Sequence, residues 1–303
     1  MLGVWRLQML REVARRGTIR AAAEAMSVTP SAVSQQLRIL EVEAGVLLLE
    51  RKGRLVRLTE AGEMLVRHAD TITAAITAAE SDLAATQHEI AGTLRVAAIP
   101  TAARAVLPAA IASLGRAHPG LRLMLRDLET AESLPALAAD EVDLAVVDEY
   151  DEATRIREPG IELMDLLTEP LFVALPPGHP AGDGPVPLAG LRDEAWIMDT
   201  EASGICRALV RACRQAGFEP HVRSNCRDYS VIIALVEAGL GVAMLPGLAL
   251  RDRPIRATVA LVDPPLERRV RIAVKPERRV HPAVAAMLAA LQRAATGSNG
   301  KEY

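Results

Sequence analysis

The amino-acid sequence predicts an α/β protein in which a small helical module and one long helix precede a larger domain of alternating strands and helices. The chain has 303 residues, enough for about two domains. Half of the residues are hydrophobic but only 2% are aromatic, so the cores must be built from aliphatic side chains, which suit helices and buried parallel strands. Residues 4–58 have the pattern of short helices and a hairpin, whereas apolar runs alternate with helical stretches from residue 92 onward.

Charge is distributed unevenly along the chain. Residues 1–67 contain eleven basic and seven acidic side chains, a net charge of +4, although the whole chain carries −3. The remaining 236 residues therefore carry −7. A basic N-terminal segment on an acidic body indicates an anionic partner for the first segment only.

The segment 28–41 (VTPSAVSQQLRILE) predicts an amphipathic helix with one polar face. Thr29 is a candidate N-cap, and Pro30 lies at the first helical position, where its missing N–H costs nothing. The apolar face carries Val33, Leu37 and Leu40, and the polar face carries Ser31, Ser34, Gln35 and Arg38. The polar groups can contact base edges and phosphates in a DNA major groove. A polar face by itself can also be an ordinary solvated helix surface, which is the alternative to a DNA-contacting face.

Two shorter predicted helices and a basic hairpin surround this helix. Helix one spans about residues 4–16, and helix two spans about residues 20–26, where small alanines allow close helix crossing. In residues 50–62, Gly53 separates two short strands that carry Arg51, Lys52, Arg54 and Arg57. A basic hairpin beside a reading helix can reach phosphates or the minor groove, whereas any single arginine can be a solvated surface charge. The combination predicts a winged helix-turn-helix over residues 1–59.

Residues 60–90 predict one long linker helix. Thr59 is a candidate N-cap, and Glu60 lies in the first turn, where the helix dipole favours an acid. Apolar residues recur at alternating steps of four and three: Leu65, Ala69, Ile72, Ile76, Ala79 and Leu83. This spacing is typical of a seam that pairs with another helix and favours a dimer, although packing of the seam on its own chain is the alternative.

The larger domain spans residues 91–295. Strands are predicted at 94–99, 121–128, 142–147, 171–175, 196–198, 242–245 and 270–274. Helices are predicted at 102–117, 132–139, 204–216, 229–238 and 281–295. Residues 296–303 are expected to be a disordered tail.

Residues 5–62 resemble the winged helix-turn-helix of LysR-type transcriptional regulators. The matching motifs are Ala21-Ala22, PSAVSQQL at 30–37, Leu40-Glu41, Gly45, Leu48, Glu50-Arg51 and LTEAG at 58–62. The chain departs from the family pattern at Ile19 and Leu49, where Phe is usual, and at Ala44, where Leu is common. Arg20 replaces a small hydroxyl residue, which removes an expected cap of helix two but adds a cation that can contact a phosphate.

The residues and the resemblance together imply double-stranded DNA as a partner and self-association as a homodimer or homotetramer. The expected DNA contacts are Thr18, Arg20, Thr29, Pro30, Ser31, Ser34, Gln35, Arg38, Arg51, Arg54 and Arg57.

The resemblance also implies that residues 91–295 form a periplasmic-binding-protein-like effector domain. Lobe one would comprise 92–165 and 269–295, lobe two would comprise 166–268, and a small molecule would bind between them. In such sheets, ligands bind beyond the carboxyl ends of strands and near helix N-termini. The candidate contacts in these loops are Pro100, Thr101, Ala102, Asp148, Asp199, Thr200, Ser203, Asn225 and Asp228.

Two ligand types match these side chains. Hydroxyl and N–H donors favour a carboxylate, whereas the aspartates favour an amine or hydroxyls, so we expect an anionic or zwitterionic effector. Plain helix capping is the alternative role for Thr101 and Ser203. An architectural DNA-binding protein that ignores small molecules is the rival to a ligand-responsive regulator.

The motifs of other functional classes are missing. The sequence has no P-loop, no G-x-G-x-x-G after a strand, no nucleophile elbow and no metal-spaced His/Cys set, so we expect no enzyme, no cofactor and no metal site. Cys206, Cys213 and Cys226 are too few for a disulfide framework. For Cys206 and Cys213, seven residues apart on one predicted helix, small buried thiols are favoured over a redox role. No signal peptide or membrane span is evident, which predicts a cytoplasmic protein.

Overall fold

The computed structural model describes residues 2–52, 55–69, 72, 76, 90–181, 184–251 and 254–298. The chain divides into two compact units, Met1–His88 and Glu89–Tyr303. The first unit is helical with a small hairpin, and the second is α/β, as the sequence predicts.

The first unit consists of three helices followed by a two-stranded hairpin. The elements are α1 (Val4–Arg16), α2 (Ile19–Ala25), α3 (Pro30–Ala44), β1 (Leu49–Lys52) and β2 (Leu55–Leu58), and the two strands pair antiparallel. One hydrophobic core holds them together, and its buried members include Leu7, Leu10, Val13, Val33, Leu37, Leu40 and Leu48. The predicted apolar face of residues 28–41 is therefore confirmed as a core face.

Threonine side chains cap α2 and α3 at their N-termini. Thr29 caps α3, because its Oγ1 accepts a hydrogen bond from the Ala32 N–H at 3.2 Å. The expectation that Arg20 leaves α2 without a cap is wrong. Thr18 caps that helix instead, since its Oγ1 accepts from the Ala21 N–H at 3.2 Å.

A fourth helix, α4, follows the hairpin, and its continuous described part covers residues 60–69. The Thr59 Oγ1 caps it by accepting from the Gly62 N–H at 3.0 Å, and the same hydroxyl donates to the Leu47 carbonyl at 2.8 Å. A Cβ on Gly62 would lie only 2.1 Å from the carbonyl oxygen of Leu48. The LTEAG run therefore combines a helix cap with a close backbone approach that requires glycine.

The apolar seam of α4 has different environments along its length. Ala69 is fully buried, and Leu65 and Ile72 are partly buried, all against the core of the same unit. Ile76, by contrast, is 37% exposed. The first half of the seam therefore packs on its own chain, which was the alternative to a dimer seam. Ala79 and Leu83, in the second half, lie outside the described residues.

The second unit alternates strands and helices. Its first part contains β3 (Gly92–Ala98), α5 (Pro100–Ala105), α6 (Leu107–Ala117), β4 (Leu121–Asp127), α7 (Thr130–Ala138) and β5 (Leu144–Glu149). The middle part contains β6 (Glu162–Leu175), β7 (Val186–Pro187), a 3₁₀ turn (Leu188–Leu191), β8 (Ala195–Met198), α8 (Gly204–Gln215), β9 (His221–Asn225), α9 (Tyr229–Glu237), β10 (Ala243–Pro246) and α10 (Gly247–Leu250). The last part contains β11 (Thr258–Asp263), β12 (Glu267–Val274), α11 (Pro276–Arg279) and α12 (Pro282–Ser298).

A mixed sheet runs through this unit in the order β4-β3-β5-β12-β6-β11-β7, and β10 also pairs with β6. Strands β3, β4 and β5 are parallel, and β12 is antiparallel to both β5 and β6. Strand β6 pairs with β12 through residue 170 and with β10 and β11 from residue 171, so it passes from one lobe to the other.

Separate hydrophobic cores define the two lobes. Lobe one surrounds a core that includes Leu94, Val146 and Met287, and lobe two surrounds cores that include Leu171, Trp196 and Ile233. Each lobe is therefore stabilised by the burial of its own apolar side chains.

Several predicted elements of this unit have different limits in the structure. The strand expected at 171–175 begins at residue 162, because the preceding residues pair with β12. The helix expected at 102–117 is two helices that meet at Val106, since Pro108 has no N–H to continue the hydrogen-bond series. Strands β7, β9 and β11 were not predicted; β9 (HVRSN) is mostly exposed and has no apolar run. Helix α12 includes residues 296–298 of the expected tail, and residues 299–303 lie outside the described part.

Candidate functional site

Helix α3 presents the predicted polar face on the outside of the first unit. Ser31, Gln35 and Arg38 are exposed and Ser34 is half-buried, while the opposite face of the helix belongs to the core. Pro30 occupies the first turn, beside the Thr29 cap. The helix therefore presents two hydroxyls, an amide and a guanidinium on one face, all of which can donate hydrogen bonds to base edges or phosphates.

The other predicted DNA contacts lie at the start of α2 and on the hairpin. Arg20 is exposed and donates to Glu24 at 3.0 Å, one helical turn away. Arg57 on β2 is exposed and lies opposite Glu50 of β1. Arg51 is on β1, but its side chain is outside the described part of the structure, as is the whole of Arg54.

A carboxylate fixes the hairpin to the end of α3. Glu41 accepts hydrogen bonds from the N–H groups of Leu48 and Leu49 at 2.9 and 3.1 Å. In addition, Arg6 of α1 forms a two-pronged pair with Glu43 of α3, with distances of 3.1 and 2.7 Å. These pairs set the position of the hairpin and of α1 relative to α3. The sequence indicated Glu41 only as part of a motif, because its role depends on two N–H groups seven and eight residues away.

A cleft of about 460 Å³ opens in the second unit at the carboxyl ends of β3 and β4. Lobe one contributes the start of α5 and the loop into α7, and lobe two contributes the start of α9. The lining residues are Pro100, Thr101, Arg104, Asp127, Glu129, Glu132, Arg227, Asp228, Tyr229 and Ser230. Of the nine predicted effector contacts, Pro100, Thr101 and Asp228 are therefore brought together here.

Thr101 has an unusual environment within this cleft. Its side chain is 3% exposed, and its Oγ1 has no hydrogen-bond partner among the residues that the structure describes. It does not cap α5, whose N-cap position is Ile99. The capping alternative therefore does not describe its hydroxyl, which lacks the partner that a buried polar group normally has.

Asp148, at the end of β5, lies behind the cleft. Its carboxylate accepts from the Thr130 hydroxyl at 2.6 Å and from the Tyr150 hydroxyl at 2.9 Å. Its own N–H donates to the Thr130 oxygen at 3.0 Å. Asp148 is thus a buried part of the scaffold in this structure and not a lining residue.

Arg268 on β12 is the buried cation next to Asp148. Its Nε donates to Glu169 on β6 at 2.7 Å, and its Nη1 lies 3.4 Å from the Asp148 carboxylate. The other oxygen of Glu169 accepts from the Leu248 N–H at 2.6 Å. This network links the two strands that cross between the lobes to the start of α10.

Asp199 and Thr200 follow β8 and lie next to the cleft without lining it. Asp199 accepts from the Thr200 N–H at 2.6 Å, and its second oxygen lies 3.4 Å from the hydroxyl of Tyr229. Tyr229 lines the cleft, so Asp199 is connected to the cleft through its contact with the hydroxyl of this tyrosine.

The other predicted effector contacts have separate surroundings. Ser203 caps α8 by accepting from the Cys206 N–H at 3.2 Å, so the capping alternative describes this residue. Ala102 is buried in the core of lobe one. Asn225 lies on β9 and lines a different groove, together with Cys206.

Burial and like charges raise several pKa values around the cleft. Burial first, and then the charges of Asp148 and Asp199, raise the pKa of Glu129 from 4.5 to about 7. Burial also raises the pKa of Asp199, although hydrogen bonds from Thr200 and Tyr229 oppose this. The pKa of the Tyr229 hydroxyl lies well above its usual value, mainly because of burial and then because of Asp199. The cleft therefore contains a carboxyl group that changes its charge near neutral pH.

Seven lining residues of the cleft were not predicted: Arg104, Asp127, Glu129, Glu132, Arg227, Tyr229 and Ser230. Asp127 is the last residue of β4 and Glu129 follows two residues later, so the argument from strand ends that selected Thr101 applies equally to them. The contribution of lobe two, in contrast, depends on how the two lobes meet.

The cysteines do not have the environment of reactive thiols. Burial first, and then Asp199 and Glu201, raise the pKa of the Cys206 thiol. Burial raises the pKa of Cys213 to about 12. Both side chains belong to the core of lobe two, so the structure places them where small buried thiols were expected.

No described helix is long and apolar enough to cross a bilayer. Within the described ranges, no three or more His, Cys, Asp or Glu side chains are grouped as metal ligands would be.

The fold and the two sites define a class of protein: a helix-turn-helix module with an exposed polar reading face, joined to a two-lobed α/β domain with a cleft for a small molecule. Comparison with known proteins agrees with this class. Residues 5–63 match the family model described as bacterial regulatory helix-turn-helix protein, lysR family, and residues 87–296 match the one described as LysR substrate binding domain. The chain belongs to the LysR family of bacterial transcriptional regulators.

Individual relatives cover most of the chain. A probable hydrogen peroxide-inducible genes activator of Mycobacterium avium is 31% identical over 254 residues, which are 83% of this chain and 80% of that protein. The transcriptional dual regulator GltC of Bacillus subtilis (strain 168) is 29% identical over 275 residues, 90% of each chain. These relatives are transcriptional regulators, which agrees with the prediction that the chain is not an enzyme.

Solved structures share the fold. Full-length OxyR C199D of Pseudomonas aeruginosa superposes with a TM-score of 0.72 at 24% identity, covering 96% of this chain and 98% of that one. Full-length CbnR in complex with its target DNA superposes with a TM-score of 0.54 at 23% identity, covering 97% of this chain and 100% of that one. The predicted fold class, a winged helix-turn-helix followed by a two-lobed effector domain, is thereby confirmed.

Proposed function

We propose that α3 reads operator DNA through Ser31, Ser34, Gln35 and Arg38. The observation that supports this most directly is the division of the helix into a buried apolar face and an outward polar face that lacks carboxylates. In this proposal Thr18, Arg20, Thr29 and Pro30, at the starts of α2 and α3, lie near phosphates. The hairpin residues Arg51, Arg54 and Arg57 contact the DNA backbone or the minor groove.

Gln35→Ala tests the reading role. An operator is first obtained by selection of the full-length protein on random duplex DNA, and its affinity is then measured by fluorescence anisotropy. Loss of a bidentate contact to a base is expected to weaken operator binding by about five- to 150-fold and to relax specificity at one position. Gln36→Ala, which removes the neighbouring amide outside the polar face, is the matched control. Unchanged operator affinity of Gln35→Ala would refute the base-reading role.

We further propose that the cleft between the lobes binds the small-molecule effector. Its position at the strand ends, its volume and the unpartnered hydroxyl of Thr101 support this. Pro100, Thr101 and Asp228 contact the ligand, with Asp148, Asp199 and Thr200 behind them; Ala102 and Ser203 contribute through packing and capping. Asn225 is not included, because it lines another groove. A ligand that binds both lobes would shift their relative position and thereby change DNA binding or transcription.

An anionic or zwitterionic effector is compatible with these residues. The rival, an architectural DNA-binding protein, requires that no metabolite changes operator binding. A screen that measures operator affinity in the presence of metabolites distinguishes a ligand-responsive regulator from an architectural protein. For an architectural protein, no metabolite should change the affinity.

The Mycobacterium avium relative is named as a probable activator of hydrogen peroxide-inducible genes, but peroxide sensing is not our proposal for this chain. Peroxide reacts with thiolates, and the raised pKa values of Cys206 and Cys213 keep both thiols protonated at neutral pH. We expect hydrogen peroxide to leave operator affinity unchanged, and we expect a thiol reagent to label Cys206 and Cys213 slowly in the native protein. Rapid labelling of Cys206 together with a peroxide-dependent change in affinity would contradict this.

We propose that the protein acts on DNA in the cytoplasm as a homodimer or homotetramer. Two open strand edges support self-association in the second unit. Strand β4 ends the mixed sheet and exposes Met124 and Leu125, and the β8–β9 pair has a largely exposed outer strand that includes Val222. Ile76 on α4 is a further exposed apolar residue. Sedimentation velocity at several concentrations measures the state directly, and a monomer at micromolar concentration would refute the proposal.

A further inference from the structure

The inner side of the effector cleft has more carboxylates than cations. The carboxylates of Glu129, Asp148 and Asp199 interact electrostatically with one another, and Arg268 is the buried guanidinium that acts on Glu129. Arg268 is already paired with Glu169 at 2.7 Å and lies 3.4 Å from Asp148. The charges of Asp148 and Asp199 both act on Glu129. Arg268 pairs with Asp148 and the exposed Arg227 acts on Asp199, but the described lining of the cleft includes no lysine or histidine.

The two arginines of the cleft lining do not balance its four carboxylates, which are Asp127, Glu129, Glu132 and Asp228. Arg104 donates hydrogen bonds to the carbonyl oxygens of Leu248, Ala249 and Arg251 at 2.6 to 3.1 Å, so it holds the end of α10. Arg227 is exposed to solvent, where water and salt screen its charge. The charge on the inner side of the cleft therefore favours a ligand that brings a cation.

A second observation points to a ligand in the same cleft. Thr101 lines it, is 3% exposed, and has an Oγ1 without a hydrogen-bond partner among the described residues. Leaving a buried hydroxyl unpaired destabilises the protein, and a bound molecule with a suitable oxygen would accept its hydrogen bond. The cleft thus offers a hydroxyl donor and a carboxylate acceptor in one volume of about 460 Å³.

We propose that the effector is a small molecule with a protonated amine held by Glu129 and a nearby oxygen that accepts from Thr101, as in an amino acid or an amino alcohol. This inference rests on the proposed effector role of the cleft. It also separates the two ligand types compatible with the sequence. A ligand with only negative charges would approach several carboxylates, and the buried cation Arg268 is already paired with Glu169 and Asp148.

A purely structural role for Glu129 is the competing explanation. Glu129 is the N-cap of α7 and forms a capping box with Glu132. A glutamine retains the hydrogen-bonding oxygen of a cap but not the charge, so Glu129→Gln distinguishes the two roles. Glu158→Gln, at an exposed position outside the cleft lining, removes the same charge elsewhere in the unit.

The proposal predicts proton-linked binding. The groups that face Glu129 are Asp127 from β4, Asp148 from β5, Asp199 after β8, Tyr229 from α9 and Arg268 from β12. Because the pKa of Glu129 is about 7, its ionised fraction falls about eightfold between pH 7.5 and 6.0. Affinity for a ligand that stays protonated throughout should fall by about the same factor, since only the carboxylate attracts the ammonium group.

The experiment measures binding to the full-length protein by isothermal titration calorimetry after a thermal-shift screen. The probes are the standard L-amino acids, ethanolamine, and the N-acetyl derivative of each. The proposal is supported if a free amine binds the wild-type protein and Glu158→Gln with the same affinity. Its N-acetyl derivative should bind at least about tenfold more weakly. Glu129→Gln should bind the free amine about tenfold more weakly, or weaker still, at pH 7.5. The decrease toward pH 6.0 should be absent in Glu129→Gln.

Two results would overturn the inference. One is the absence of binding by every free amine up to about 10 mM. The other is binding of a free amine with one of three properties. Its N-acetyl derivative binds equally tightly, Glu129→Gln binds it as tightly as the wild-type protein does, or the affinity of the wild-type protein does not change with pH. In either case the metabolite screen against operator affinity still decides separately whether the protein is a ligand-responsive regulator.

Discussion

Replacing Glu129 by glutamine should stabilise the unliganded protein at alkaline pH and not at acidic pH. Glu129 has a pKa of about 7 in the folded chain, against a usual value of 4.5, mainly because it is buried and lies close to Asp148 and Asp199. A raised acid pKa means that the folded state binds the proton more tightly than the unfolded state. The stability associated with Glu129 is therefore fully present below about pH 4.5, decreases between about pH 4.5 and 7, and reaches its minimum above about pH 7.

The size of this effect follows from the two pKa values. At about 1.4 kcal/mol per pH unit, the interval from 4.5 to about 7 sets an upper limit of about 3.5 kcal/mol. Glu129 is only half-buried, so solvent screens part of its repulsion from the other carboxylates. We therefore expect Glu129→Gln to raise the free energy of unfolding by about 1–2 kcal/mol at pH 8 and by nothing measurable at pH 4.5.

Urea denaturation of the full-length protein at a series of pH values measures this difference. The chain has two tryptophans, and the fully buried Trp196 lies in the core of lobe two, so its fluorescence follows the second unit. Trp5→Phe removes the half-exposed tryptophan of the first unit and serves as the common background. Glu158→Gln should show no such pH-dependent gain. A Glu129→Gln variant that is no more stable at pH 8, or whose gain is the same at every pH, would refute the reasoning.

The remaining predictions concern both units of the chain. Ile76→Asp should lower the association state seen by light scattering without lowering the melting temperature, because Ile76 is exposed. Ile72→Asp should instead destabilise the first unit by about 2 kcal/mol or more, because Ile72 packs on its core. Equal effects of the two substitutions would contradict this assignment. Gly62→Ala should lower the melting temperature of the first unit through its clash with the hairpin, while Gly115→Ala, in α6 with open space around it, should stabilise by about 0.5–1 kcal/mol in calorimetry; a neutral Gly62→Ala would show that the close approach is not required. Arg57→Ala should weaken binding to operator and random DNA alike and reduce the slope of log affinity against log salt by about one, and an unaltered slope would exclude a phosphate contact.

The amino-acid sequence alone determined the features that depend on near neighbours in the chain. The two faces of α3 follow from side-chain spacing within one helix, and Thr29, Pro30 and Gly45 mark its ends within a few residues of each. The order of strands and helices in the second unit could be predicted in the same way, because buried strands contain apolar runs such as Leu144–Val147 of β5. Local patterns failed where a strand is exposed or is stabilised by a distant partner, as in β9 and the first half of β6.

Only the tertiary structure decided which side chains form the effector cleft and what charge they present. Asp148 and Asn225 satisfy the argument from strand ends as well as Thr101 does, yet the fold places the first behind the cleft and the second in another groove. The raised pKa of Glu129 arises from burial and from carboxylates on β5 and after β8, and a sequence does not reveal the distances between groups on separate strands. The preference for a ligand with an amine is therefore a property of the folded chain, since electrostatic energy depends on separation and burial, which are set when the two lobes meet.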